Sequence, residues 1–372
     1  MRSGRRFAIA SIAAFVLLFG AYSAAIWYYS ERINSGGLQV DRGSEDYDVE
    51  VIAIGGDSIT LKGGNPKDQP EIVGIEWPEG YARADGLISI DGDIATRGFS
   101  LISGELFVGA RVRYDKHAWC CDPLAMGLDF THIRLNTELG EVDAWAVDSG
   151  SASWVVFIHG KDSDRTQGLR LLPTLVDAGW NVLLTTYRNH ESSPADLSDR
   201  HNYGLTEWRD LESAVQFVQN QGAERVVIAG WSMGGATSAV FMRESGQANA
   251  IDGLILNAPL LDFERAVDYG AEQLSLPGFL TTSAKWLADR RFGIDWDAMD
   301  YRDMASQLNL PILLLHGSAD DTIPVTASRS FAEAYTGPIT YVEFAGADHT
   351  ALWNADPALF EQSVDEFMSA LP

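Results

Sequence analysis

Hydrophobic positions along the chain fall into three textures. An uncharged run over 7–30 comes first, preceded by Arg2, Arg5 and Arg6. Its length predicts a helix that crosses a bilayer. Trp27, Tyr28 and Tyr29 stand at its far end, where an interfacial aromatic belt belongs. Positive residues ahead of the span predict a cytoplasmic N-terminus, with the remainder extracytoplasmic on an uncleaved signal-anchor. A cleaved signal peptide is the alternative, with small residues around Ala21, Ser23, Ala24 and Ala25, and the remainder would then be secreted. Residues 31–45 read as a polar linker. Over 46–127, short alternating runs are broken by glycine and Asp-Gly turns, which predicts a small β-rich module, a partial barrel.

The third texture fills 128–372. Alternation over 130–135 and 142–147 flanks Asn136-Thr137-Glu138-Leu139-Gly140, a hairpin signal. Continuous apolar runs then appear at 154–158, 182–186, 226–229, 254–256, 312–315 and 340–344. Segments of helical period separate them, at 168–178, 205–219, 233–245, 325–335 and 357–370. Buried strands alternating with helices predict an α/β fold: a mostly parallel sheet with helices on both faces. The alternation lapses over about 260–310, where a stretch rich in Leu, Ala, Trp and charge predicts a small helical cap at the sheet's C-terminal edge.

Composition narrows the functional classes. The chain has 372 residues, 46% hydrophobic and 10% aromatic, so it can bury a large core. It carries 27 basic and 52 acidic residues, a net charge of −25. Such a surface repels nucleic acid and anionic headgroups, which removes nucleic acid from the expected partners. The two cysteines, Cys120 and Cys121, are adjacent. An exported domain permits a disulfide between them, and two free buried thiols are the alternative. The pair supplies too few ligands for a metal, and no cofactor is expected.

The chemistry concentrates at 230–234, Gly-Trp-Ser-Met-Gly, between an apolar run and a helical one. A serine at the tip of a strand-to-helix turn needs neighbours without a Cβ, and the next N–H lies at a helix N-terminus. A nucleophilic Ser232 needs a base, and the base needs an orienting acid. Asp320 and His349 both follow predicted strands, where active residues of parallel sheets collect. Asp321 is the rival acid, and Asp262 a weaker one. The Met233 N–H and the Lys161 N–H, after His159-Gly160, are the expected oxyanion donors. His159 and His316 read as turn residues. His190 and His201 read as surface histidines on a loop that could border the site.

These residues resemble the α/β-hydrolase fold family. The resemblance rests on His159-Gly160, Gly230-x-Ser232-x-Gly234, His316-Gly317-x-x-Asp320-x-x-Ile323-Pro324, and His349 before the last helix. Tyr187-Arg188 is similar to the family's loop at that place, with Thr186 where an Asp often stands. The likeness covers about 128–372 and looks closest to short-cap serine hydrolases of the Bem46-like and prolyl-oligopeptidase-like groups. It implies attack by Ser232 on an acyl carbon, proton transfer through His349, orientation by Asp320 and hydrolysis of an acyl-enzyme. The expected substrate is a small-molecule or lipid-like ester. A peptidase of prolyl-oligopeptidase type and a non-catalytic cell-surface binding protein are the alternatives. Phe263, Tyr269, Leu274, Phe279, Trp286 and Trp296 of the cap are candidates either to line an acyl pocket or to pack the cap.

Overall fold

The computed structural model describes residues 2–41, 46–190 and 192–371, with side chains from residue 11 onward. Residues 42–45 of the expected linker, and the side chains of Arg2, Arg5 and Arg6, lie outside the described residues. The apolar run folds as one helix, α1 (Arg2–Ile33), which passes into a single wide helical turn over Asn34–Leu38. Residues 11–20 are all exposed, as an apolar helix is when nothing in the protein covers it. The following turn behaves differently from the expected linker. Leu38 is buried, its carbonyl accepts the His201 N–H at 2.8 Å, and the Gly37 carbonyl accepts the Tyr203 hydroxyl at 2.7 Å. An apolar side chain and two carbonyls are satisfied here by docking onto the large domain.

The small module is a closed antiparallel barrel. Its strands are β1 (Val49–Ile54), β2 (Ser58–Lys62), β3 (Ile72–Trp77), β4 (Gly80–Asp91), β5 (Ile94–Ser103) and β6 (Arg111–Asp115), in the order β1-β2-β5-β4-β3-β6. The sequence suggested a partial barrel. Pairing of β1 with β6 through Val49 and Val112 closes it, and closure removes the exposed edges that an open sheet would present. Val49 and Val51, Ile59 and Leu61, and Val73 and Ile75 point inward at every second position and are fully buried.

The large domain carries an eight-stranded sheet. Its strands are β7 (Thr131–Thr137), β8 (Gly140–Val147), β9 (Ser153–Ile158), β10 (Asn181–Thr185), β11 (Arg225–Trp231), β12 (Gly253–Asn257), β13 (Ile312–Gly317) and β14 (Ile339–Phe344). The order is β14-β13-β12-β11-β9-β10-β8-β7, parallel from β14 to β10 and antiparallel at the β7–β8 end. The helices are α2 (Leu172–Asp177), α3 (Trp208–Asn220), α4 (Met233–Glu244), α5 (Phe263–Gln273), α6 (Gly278–Phe292), α7 (Met304–Gln307), α8 (Val325–Ala334), α9 (Leu352–Ala355) and α10 (Pro357–Ala370). Continuous apolar runs are explained by burial on both faces. Val156, Ile228 and Leu254 enter one core cluster, while their neighbours Val155, Val227 and Ile255 enter the other. Helices α5 to α7 occupy the predicted cap.

Barrel and large domain meet at a buried polar joint. Asn354 on α9 donates to the carbonyls of Ile72 and Lys116, each at 2.8 Å. Its side-chain oxygen accepts from the buried Arg170 guanidinium at 2.5 Å. Arg170 also donates to the Thr350 carbonyl at 3.1 Å and lies 4.7 Å over the Trp231 ring. Removing Asn354 takes a donor from the carbonyls of Ile72 and Lys116 and an acceptor from the buried Arg170 guanidinium. Asn354→Ala is therefore expected to cost about 1–3 kcal/mol, read as a lower midpoint in chemical denaturation.

Candidate active site

β11 ends at Trp231 and α4 begins at Met233, so Ser232 alone makes the turn. It does so at φ 53° and ψ −114°, a strained conformation for a residue with a side chain. The strain is tolerated because the surrounding backbone closes in. A Cβ on Gly234 would lie 2.2 Å from the Ile158 carbonyl oxygen, and one on Gly230 would lie 2.5 Å from the Gly234 oxygen. The Ser232 N–H donates to Asn257 at 3.0 Å, and its carbonyl accepts from Gly235 at 2.9 Å and Leu260 at 3.1 Å. Backbone bonds thus hold the turn from both sides.

Two later strand ends bring the other candidates to this hydroxyl. Ser232 Oγ lies 2.9 Å from Nε2 of His349, and His349 Nδ1 lies 2.7 Å from Oδ2 of Asp320. With Nδ1 protonated, His349 donates to Asp320 and leaves Nε2 to accept the serine proton. Asp320 is buried, and its other oxygen accepts the N–H groups of Thr322 at 2.9 Å and Ile323 at 2.7 Å. Among the rivals, Asp321 is exposed, and Asp262 caps α5 by accepting the Arg265 N–H at 2.9 Å. Asp320, and neither rival, is the carboxylate hydrogen-bonded to His349 Nδ1.

His316 does more than shape a turn. It is fully buried, and its Nε2 lies 3.1 Å from Asp320 Oδ2. Its Nδ1 is 2.7 Å from the Ser328 hydroxyl. In the tautomer that satisfies both contacts, His316 donates to Asp320 and accepts from Ser328. The spacing of His316 and Asp320, four residues apart at a strand end, was the signal available for this role. Burial by itself pushes the Asp320 carboxyl up. The hydrogen bonds from His316 and His349 outweigh it and hold the carboxyl below its ordinary range.

The loop after β9 meets Ser232 from the other side. A Cβ on Gly160 would come within 3.2 Å of the Ser232 Cβ. The Gly160 N–H donates to Gln167 at 2.8 Å. The Gly160 carbonyl accepts the Tyr187 hydroxyl at 2.9 Å and faces His159 Nδ1 at 2.7 Å. In a trans peptide the carbonyl and the following N–H point opposite ways, so these bonds aim the Lys161 N–H away from Tyr187. His159 stacks on Tyr187 at 4.3 Å, and burial, reinforced by His190, holds its pKa well below the ordinary value. Neighbouring Arg188 is clamped by both oxygens of the buried Asp210, at 2.8 and 2.9 Å. The Tyr187-Arg188 pair singled out in the sequence thus fixes the Gly160 peptide. Met233, as the first residue of α4, has no preceding helical turn to accept its N–H.

A cavity of about 390 Å³ opens onto Ser232, His349 and Lys161. Of the cap candidates, Phe263 and Leu274 line it. Trp296 stacks on Phe263 at 5.5 Å, Tyr269 donates to the Asp320 carbonyl at 3.0 Å, and Phe279 and Trp286 are exposed. His201, expected at the surface, is buried with its ring 2.8 Å from Asp162. His117 contacts Thr166 and Ser163, and His132 meets Phe130 edge to face, so neither is a partner of the candidate triad. Cys120 and Cys121 are bridged to each other.

The depressed Asp320 carboxyl has a consequence for stability. Its folded pKa lies below the ordinary 3.8, so the native state binds fewer protons than the unfolded chain. The stabilisation is present above the ordinary value and is lost as pH falls through the folded one. The thermal midpoint advantage of wild type over Asp320→Asn is expected to be greatest above about pH 5 and to shrink below about pH 4.

Residues 155–363 match the model of the alpha/beta hydrolase family. The protein YqkD of Bacillus subtilis is 24% identical over 218 residues, covering 58% of this chain and 70% of YqkD. Human Protein ABHD12B is 26% identical over 193 residues, covering 48% of this chain and 49% of its own. Among solved structures, the Pyrococcus furiosus esterase Pf2001 superposes with a TM-score of 0.55 at 19% identity, covering 68% of this chain and 95% of the esterase. That likeness concerns the fold. The matched region includes Ser232, Asp320 and His349, and by it the chain belongs to the alpha/beta hydrolase family.

Proposed function

We propose that this protein is a serine hydrolase that cleaves carboxylic esters through an acyl-enzyme. The observation that carries the reading is the continuous hydrogen-bonded chain Ser232–His349–Asp320, with the serine on a strained turn. His349 takes the serine proton as Oγ attacks the acyl carbon, then returns it to the leaving alkoxide. A water then attacks the acyl-enzyme by the same route in reverse. Asp320, ionised and anchored by His316, keeps the proton of His349 on Nδ1 and stabilises the imidazolium. The Met233 and Lys161 N–H groups receive the oxyanion. No metal or organic cofactor has a step in this scheme.

We also read α1 as an uncleaved anchor that holds the domain outside the cytoplasm. The arginines before it supply the orientation. Tyr22, in its apolar part, is hydrogen-bonded to Ser283 of α6 at 2.7 Å, a contact that cleavage near 21–25 would remove.

A fluorophosphonate probe should label folded wild type and leave Ser232→Ala unlabelled; equal labelling of the two would remove Ser232 as nucleophile. Tyr187→Phe removes one of the two side-chain bonds that hold the Gly160 carbonyl. On p-nitrophenyl esters it is expected to lower kcat by about tenfold with little change in KM, a fraction of what losing an oxyanion donor costs. A change confined to KM would argue against an oxyanion role for Lys161.

A further inference from the structure

The candidate pocket is built partly from α1. Tyr29 and Ile33 line it together with Leu274 and Leu276 from the segment joining α5 to α6 and with Ala284 of α6. An acyl pocket walled by the last turns of a membrane-spanning helix lies at the level where that helix leaves the bilayer.

The register of α6 against α1 gives the depth. Ser283 meets Tyr22, and the Phe279 ring lies 5.9 Å from the Tyr22 ring. Further along, Arg291 pairs with Glu31 at 2.6 Å, donates to Ser30 at 2.6 Å and sits 4.8 Å over the Trp27 ring. The two helices therefore run in the same direction, and the N-terminal end of α6 faces the apolar part of α1. From Tyr22 to Trp27 the helix rises about 7 Å, so Phe279 stands about that much deeper than the aromatic belt. The belt marks the interface, and amphipathic segments that lie on membranes reach about 5–10 Å below the headgroups.

The side chains at that depth suit it. Residues 274–284 contain no charge, whereas Glu272 precedes them and Lys285 follows. Leu274 and Phe279 are each 65% exposed, a state that costs free energy in water and gains it in lipid. Charge returns at the other end of α6, where Arg290 and Arg291 reach headgroup level. Trp286 is also exposed, beneath the Arg290 guanidinium at 5.1 Å.

We infer that the cap segment 274–284 dips into the outer leaflet beside α1, and that the pocket draws its substrate from there: a single-chain acyl ester resident in the membrane. The acyl chain slides past Leu274 and Leu276 toward Ser232 without crossing water, and the polar head stays at the interface near Arg32, which also lines the pocket. The inference rests on the serine-esterase reading for its chemistry but not for its geometry.

The test uses the full chain in phosphatidylcholine vesicles. Both native cysteines are bridged to each other, so Phe279→Cys labelled with bimane reports on one site. Phosphatidylcholine carrying a 5-doxyl chain should quench that bimane. Unchanged emission in doxyl vesicles would overturn the inference, as would burial of position 279 against a second copy in a dimer. In the second arm, Phe279→Asp combined with Trp286→Asp is expected to slow hydrolysis of vesicle-borne 1-oleoylglycerol by at least about tenfold, the scale of one lost apolar burial. Turnover of dissolved p-nitrophenyl acetate should stay at the wild-type rate. Equal rates on 1-oleoylglycerol for wild type and variant would overturn the inference. An equal fall on both esters marks a damaged fold and leaves the quenching measurement to decide. Soluble-ester turnover that survives Ser232→Ala is a failure of the serine reading, and it leaves the quenching result standing.

Discussion

Everything at the candidate site depends on one close approach: backbone packed against backbone around Ser232. The serine turns at positive φ because strands β9 and β11 and helix α4 converge there, leaving no room for a Cβ at Gly230 or Gly234. The turn is held by bonds from Asn257, Gly235 and Leu260, so the hydroxyl is presented at a fixed point above the sheet. A side chain on a flexible loop would lose that position to conformational entropy. The sheet supplies it because six parallel strands end at one edge, and Ser232, Asp320 and His349 follow three of them.

The groups around the serine are oriented by partners that do not themselves reach it. His316 satisfies Asp320 from behind, and Ser328 satisfies His316. Tyr187, His159 and Gln167 fix the two peptides flanking Gly160. The barrel contributes from a greater distance. Its last strand leads into Lys116, which pairs with Asp348 at 2.6 Å, while the joint residue Arg170 holds the Thr350 carbonyl. Both residues beside His349 in sequence are thereby tied to the joint with the small module. That gives the barrel a physical connection to the site without placing any of its side chains there.

The other wall of the site is built by α1 and the cap. A helix exposed along residues 11–20 becomes, over its last turns, part of the pocket. The cap follows the same gradient: uncharged where it meets Tyr22, and bearing arginines where it meets Glu31. Helix α1 and the cap thus share a single polarity axis, and the pocket lies along it.

Much of this was legible in the sequence, for a common reason. The period of apolar residues sets which faces are buried, so the parallel strands, their helices and the cap interval could be read from 128 onward. Glycine spacing around Ser232 carried the turn, and strand ends carried Asp320 and His349, because a parallel sheet brings its C-terminal ends together. Local pattern did not reveal contacts between segments far apart in the chain. Barrel closure needed β1 to meet β6. The burial of His201, the support of Asp320 by His316 and the docking of 34–38 needed partners that only folding supplies. The same holds for α1: composition determined that it could cross a membrane, but only the tertiary structure decided that its last turns would wall the pocket, because that depends on the register of α6 against it.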